Sequence, residues 1–361
     1  MNKSDNSTRI IGIDIAKIIA MMFVVAVHID GFGLPYIDAN QAPSWLYSLS
    51  RSSLNVVFMS CINIFAIASG FVCITVEFKI KRMMSLWIRT ALTGILVLVG
   101  IVLATDITPS SSQWVRASFP IAFGQYWYMT AYFMVLVCMP LLNSGIKAMC
   151  RVQLARFLCL VLTIVCAETL FISASPLGVA SGYSFEWLLL LYVIGAYIRL
   201  YNPIKTSSWR LAAIGVSLAI VASGLSLVLA RYVCNGWLCK YHVANLSSYT
   251  SPFVLAIAIC IFMVCVRINI CNKVLAEAIQ MISAASLGVY LIHTQPVLFK
   301  TLFVPYVQSI VVSSLDYYLL ILFSLTVGIF FSCILLEMLR NMLFCGVQRV
   351  YNGISMLCKA H

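Results

Sequence analysis

The sequence predicts an all-α, polytopic integral membrane protein with about ten transmembrane helices and both termini cytoplasmic. Three observations carry that prediction. Of 361 residues, 62% are hydrophobic and 9% charged, against roughly 45–50% and about 25% in soluble globular domains. The mean hydropathy of +1.01 is more than a soluble fold of this length is able to bury. Ten apolar runs approach the ~20 residues a helix needs to cross a bilayer, and Lys and Arg fall mostly between them. A soluble enzyme, a disordered chain and a disulfide-knotted secreted domain are excluded.

In order, the runs cover about 10–32, 54–76, 86–105, 122–142, 153–173, 184–200, 209–230, 251–268, 281–303 and 317–339. Turn formers such as Gly31, Gly33, Pro35, Pro43, Pro109, Pro176, Pro203 and Pro252 separate them. The first run follows a short polar tail and has no small-residue cleavage site, so it reads as a retained helix and not a signal peptide. The expected layout is a cytoplasmic tail over 1–9, a membrane domain over 10–340 and a cytoplasmic tail over 341–361. There is no internal repeat.

With the N-terminus inside, 17 of the 23 Lys and Arg residues fall on the inner side. Five fall outside (Arg51, Arg116, Arg231, Lys240 and Lys300), and Lys17 lies within the first run. That asymmetry sets the orientation and the expected site, the inner (cytoplasmic) membrane. In a soluble protein a net charge of +12 would suggest nucleic acid. Here it follows from the positive-inside rule, and no nucleic-acid partner is expected beyond the lipid bilayer itself. Most of the 14 Cys sit inside apolar runs, where Cys behaves as a small hydrophobe. No spacing fits a zinc site, so no metal is expected. Cys234 and Cys239 share a polar loop and are placed to pair if it faces an oxidising compartment.

The first run concentrates ionisable groups: Asp14, Lys17, His28 and Asp30. Each costs about 2.5–3.5 kcal/mol within a bilayer on the insertion scale. Eleven residues separate Lys17 from His28, which returns the helix to within ~20° of the same direction and about 16 Å further along. Asp14, three residues before Lys17, is close enough to pair with it. Snorkelling of Lys17 inward and His28 outward is the bland alternative. Asp30 either orients a neighbouring base or is an exposed loop residue.

Ile10–His28, IIGIDIAKIIAMMFVVAVH, resembles the opening helix of the acyltransferase-3 family of membrane O-acyltransferases, whose mark is a basic residue, usually Arg, followed by ten residues and His. Lys17-x10-His28 has that spacing, with Lys in place of the commoner Arg. Phe78–Arg89 (FKIKRMMSLWIR) resembles the family's basic stretch before the third span. Tyr126–Leu142 resembles its Trp-Tyr region in the fourth, and Ser286–Leu298 its Ser-x-Gly-x-Tyr-x-x-His segment. The resemblance covers nearly the whole chain. It implies transfer of an acyl group, usually acetyl, from cytoplasmic acyl-CoA (acetyl-CoA) to a hydroxyl of a glycan or lipid-linked glycan. A surface polysaccharide such as O-antigen, capsule or exopolysaccharide is the expected acceptor. With no esterase-like appendage after the last run, direct transfer is the simpler expectation.

On this reading His28 is the catalytic base, since imidazole titrates where a hydroxyl proton must be accepted near neutral pH. Whether an acyl-His intermediate forms stays open. Lys17, with Arg82 and, less so, Lys79, Lys81 and Arg89, is a candidate for the donor's phosphates; topology alone also explains one or two of these. His293 in the ninth run, with Tyr290 three residues before it, either acts at the site or bridges helices. Tyr126, Trp127 and Tyr128 read as an outer aromatic belt or a stacking surface for a sugar. Glu168 and Glu186 read as solvated or as acceptor contacts, with the former favoured. The outer loops 31–53 and 231–250 hold Asp38, Asn40, Arg51, His242 and Asn245, none diagnostic. A secondary transporter or lipid-linked glycan flippase is the main rival, though the repeated halves common in transporters are missing. A sensory or scaffold module is the third.

Overall fold

The structure, a computed structural model, describes residues 9–34, 44–171, 176–229 and 246–359, with side chains up to 342. The possible Cys234–Cys239 pair and Asp38, Asn40, His242 and Asn245 lie outside the described residues. Within them there is no strand, and eight helical stretches, Trp45–Cys73 counted as one, are long and apolar enough to cross a membrane.

The chain runs through α1 (Ile11–Phe32), α2 (Trp45–Phe58), α3 (Cys61–Cys73), α4 (Ile80–Ala104), the short α5 (Ser111–Ser118), α6 (Trp127–Ala148) and α7 (Arg151–Phe171). It continues through α8 (Phe185–Tyr201), α9 (Ser208–Val228), α10 (Pro252–Val266), α11 (Lys273–His293), two short helices α12 (Pro296–Leu298) and α13 (Val304–Gln308), and α14 (Leu315–Lys359). The expected sixth and eighth spans are the helices α8 and α10, of 17 and 15 residues, under the length that defines the other eight.

Three expectations are corrected. The second span begins at Trp45, capped by Ser44, and breaks between Phe58 and Cys61. Arg51 is therefore in a helix and buried, not in an outer loop. Its guanidinium meets Asp30 at 2.9 Å, and donates to Tyr47 Oη and to the Asp30 and Leu34 carbonyls. Asp30, also buried, further accepts from Tyr318 Oη (3.1 Å) and Asn55 Nδ2 (3.2 Å). It is neither an exposed loop residue nor a partner of His28: it ties the end of α1 to α2 and α14.

The third span begins at Ile80, so Lys81 and Arg82 stand on the first turn of α4. The ninth span is not continuous. Helix α11 ends at His293, because Pro296 has no N–H to donate and crowds the preceding turn. Gln295 Oε1 instead accepts from the Val297 and Leu298 amides and starts α12. A π-turn, Phe299–Phe303, follows.

Helix α1 is the axis of the bundle, packed against α2, α3, α10, α11 and α14. Small residues allow that: Ala16 and Ala20 are fully buried, and a Cβ on Gly12 would run into the Cys265 carbonyl of α10. The closest crossing joins α3 to α8, where Gly70 lies on the Tyr192 backbone and Gly195 on that of Ile67. Such backbone contact is how membrane helices associate without a hydrophobic driving force between them. Helices α4, α7 and α9 turn Leu103, Leu160 and Val216 outward, as lipid-facing helices do.

Candidate active site

Residues 17, 21, 24 and 28 recur at helical spacing along one face of α1. The first three line a cavity of about 310 Å³ together with Phe65 and Ser69 of α3, Arg89 of α4, Tyr128 and Tyr132 of α6, and Ser283, Ser286 and Tyr290 of α11. The cavity reaches Val24 and Tyr290, one turn short of His28 and His293 respectively. Lys17 also lines a second cavity of about 320 Å³, with Arg9, Asp14, Phe71, Thr75 and Arg199. The ammonium thus stands where the two spaces meet. Arg199 holds its guanidinium over the Phe71 ring, 5.0 Å from the centroid.

Beyond the cavity's other end the two imidazoles meet, although 265 positions separate them in the chain. His28 Nδ1 is 3.0 Å from His293 Nε2, and His293 Nδ1 is 2.5 Å from the Val289 carbonyl. A carbonyl only accepts, so His293 Nδ1 carries the hydrogen. In the neutral ring its Nε2 is then the acceptor, and His28 Nδ1 donates to it. That leaves His28 Nε2 with an unprotonated lone pair. The pair is walled by Phe32 and Phe299 against His28 and by Phe303 against His293. The π-turn supplies two of those three rings, and π-turns often occur at functional sites.

Because α11 stops at His293, this residue lies at a helix end and not midway along a span. Its neighbours explain the segment Ser286–His293. Gly288 leaves room for the Glu337 side chain, Tyr290 lines the cavity, and His293 reaches His28.

Asp14 does not pair with Lys17. It is buried and takes two hydrogen bonds from Arg9 (2.8 and 2.7 Å) and one from Ser283 Oγ (2.7 Å). Arg9, in extended chain before α1, folds back over the helix start, so both carboxylate oxygens are committed away from Lys17. The basic stretch is divided among surfaces. Arg82 and Lys17 are both within electrostatic reach of Cys73. Arg89 lines the upper cavity but is gripped by Glu337 (2.6 Å). Lys81 is exposed and opens on a different recess; Lys79 is exposed at the start of α4.

Tyr126 is buried and donates to the Leu291 carbonyl, and Tyr128 lines the cavity, so neither belongs to an interfacial belt. Trp127 packs on Tyr183 and Tyr249, 4.8 and 6.3 Å between centroids. Glu168 is buried, contrary to the solvated reading, whereas Glu186 is exposed. Sequence reasoning passed over Arg199 and Glu337. An acid inside the last span was a readable signal for Glu337. Nothing local marks Arg199.

A multi-pass helical bundle that leads a cation-lined cavity toward an imidazole with a free lone pair has the parts of a membrane enzyme working by proton abstraction. The acyltransferase-3 family model, described as an acyltransferase domain, matches residues 10–338. The chain belongs to that family and is a multi-pass membrane acyltransferase. No curated protein and no solved structure matches it.

Proposed function

We propose that the protein moves an acyl group, acetyl in the first instance, from cytoplasmic acyl-CoA to a hydroxyl of a cell-surface glycan such as O-antigen, capsule or exopolysaccharide. The observation that carries this is the His28–His293 hydrogen bond beyond the end of a cavity that has Lys17 at its far side. On this reading the bundle sits in the inner membrane and both termini face the cytoplasm. The outer side holds few cations, and Arg51 is now accounted for by Asp30.

The donor's phosphates meet Lys17, Arg9 and Arg199 in the lower cavity, with Arg82 beside it. The pantetheine arm, roughly a dozen bonds of about 1.5 Å, passes Lys17 and lies along Met21 and Val24. Its reach matches the ~16 Å rise from Lys17 to His28. His28 Nε2 takes the proton of the acceptor hydroxyl as its oxygen attacks the thioester carbonyl. His293 Nε2 accepts the Nδ1–H of the resulting imidazolium and holds it in line. Collapse of the tetrahedral intermediate breaks the C–S bond, and the departing sulfur takes the proton from His28, leaving an ester and free CoA thiol. Tyr128, Tyr132 and Tyr290 shape the path, and Trp127 with Tyr183 and Tyr249 offers stacking surface on the acceptor side.

The test is transfer of labelled acetyl from acetyl-CoA to surface glycan in membranes carrying each variant. His28→Ala is expected to abolish transfer, by about 10²–10⁴-fold for loss of a general base, while inserting normally. Lys17→Arg keeps the charge and the family's commoner residue and should retain most activity. Normal transfer by His28→Ala overturns the mechanism; glycan movement without label incorporation would favour the flippase reading.

A further inference from the structure

On the lipid-facing side, α4, α12 and α14 enclose a groove of about 430 Å³. Its wall is apolar, built by Leu96, Val97, Ile101, Leu298, Leu302 and Leu336, and Gly100 forms an open floor. Along α4 it runs from Thr93 to Thr105, about 18 Å. At the Thr93 end it meets Arg340, which also lines an adjoining recess of about 460 Å³ with Lys81, Ser85, Arg89 and Asn341.

The charges there do not cancel. Three cations, Lys81, Arg89 and Arg340, line the recess, and one carboxylate, Glu337, which holds the two arginines, lines the groove beside it. Glu337 is fully buried and takes both arginines on a single oxygen, Oε1, at 2.6 Å each. Its Oε2 and the Nε–H of Arg340 are buried with no hydrogen-bond partner. Arg340 spends its other nitrogens on Thr93, Glu337 and Asn341. A buried donor without an acceptor is costly, and here it stands where an apolar groove becomes a cationic one.

We propose that the recess and the groove above it hold an anionic phospholipid of the leaflet at the basic end of the bundle, its phosphodiester beside Lys81 and Arg340 and one acyl chain running past Ile88 and Leu92 to Leu96 and Gly100. An apolar partner helix would leave the excess positive charge unmatched, and a zwitterionic lipid would match it only in part. Neither His28 nor Lys17 lines this site, although Arg89 is shared with the upper cavity, so lipid retention is read separately from acyl transfer.

The full-length protein in nanodiscs of equal phosphatidylglycerol and phosphatidylcholine, released and weighed by native mass spectrometry, tests this. Wild type is expected to retain phosphatidylglycerol preferentially, and Arg340→Gln and Lys81→Gln should each reduce that retention by about fivefold, the equivalent of ~1 kcal/mol per cation. Gly100→Phe projects a ring into the groove from a position where nothing lies within 4 Å of a Cβ, and should remove the bound lipid while the chain still elutes as a folded species. Lys81 is exposed, so its variant reads the charge even if Arg340→Gln fails to fold. Equal retention of the two lipids by wild type, or unchanged phosphatidylglycerol on folded Gly100→Phe, overturns the proposal.

Discussion

At the scale of single residues, the imidazole pair has a direction. Val289 fixes the hydrogen on His293, His293 fixes it on His28, and the free lone pair is left at His28 Nε2. In the proposed mechanism His293 is a positioning residue, and that role differs from a helix bridge by what a substitute must do. His293→Gln supplies a side-chain oxygen able to accept from His28 Nδ1–H, whereas His293→Ala supplies nothing. We expect Ala to lower kcat by about 10–100-fold, the range typical when an orienting partner of a functional His is lost, with KM for acetyl-CoA little changed. Gln should recover a substantial part. Steady-state kinetics on purified protein checks this: equal loss in the two variants, tracking a fall in thermal stability, would reduce His293 to packing.

At the scale of helices, the crossing of α3 and α8 is the contact with least tolerance. Gly70 and Gly195 each lie against the backbone of the other helix, and backbone, unlike a side-chain tip, does not swing aside. Gly70→Leu or Gly195→Leu must separate the helices, at more than the ~1–3 kcal/mol of ordinary overpacking. Loss of the monodisperse peak in fluorescence-detected gel filtration is the expected readout. Gly145→Ala, with open space at its Cβ, should elute unchanged. What was legible beforehand follows the same division between local and distant. The Lys17–His28 stripe is a property of one helix and its period, so it could be read directly, as could the helical class of every apolar run. The junction of His28 with His293, the Arg51–Asp30 tie and the grip of Glu337 on Arg89 span tens to hundreds of positions and leave no periodic trace. Pro296 was a visible sign that the ninth run would break, but hydropathy alone runs through it. Asp14 was assigned to Lys17 because helical spacing ignores Arg9, which reaches back from extended chain outside the helix.

At the scale of the whole molecule, two cavities stand in series, with Lys17 on the wall of both and the histidine pair beyond the second. Serial spaces allow capture of the donor to be separated from its reaction. In the proposed reaction the donor's phosphates engage below Lys17, and its thioester travels past Met21 and Val24 to be attacked. Val24 lines the upper cavity one turn before His28, so a larger side chain there narrows the last stretch while the cations and both imidazoles are kept. Val24→Phe is therefore expected to bind acetyl-CoA within about threefold of wild type, well under the 1.4 kcal/mol of a tenfold change. Transfer to glycan should fall at least about tenfold, since displacement of reacting atoms by an ångström is enough to cost rate. Equilibrium binding of labelled acetyl-CoA to the purified protein, set beside the transfer rate of the same sample, distinguishes the outcomes. If binding and transfer decline together, the donor occupies the upper cavity from the first encounter. If transfer persists at the wild-type rate, the thioester reaches His28 by another route, and the series of cavities is not the path.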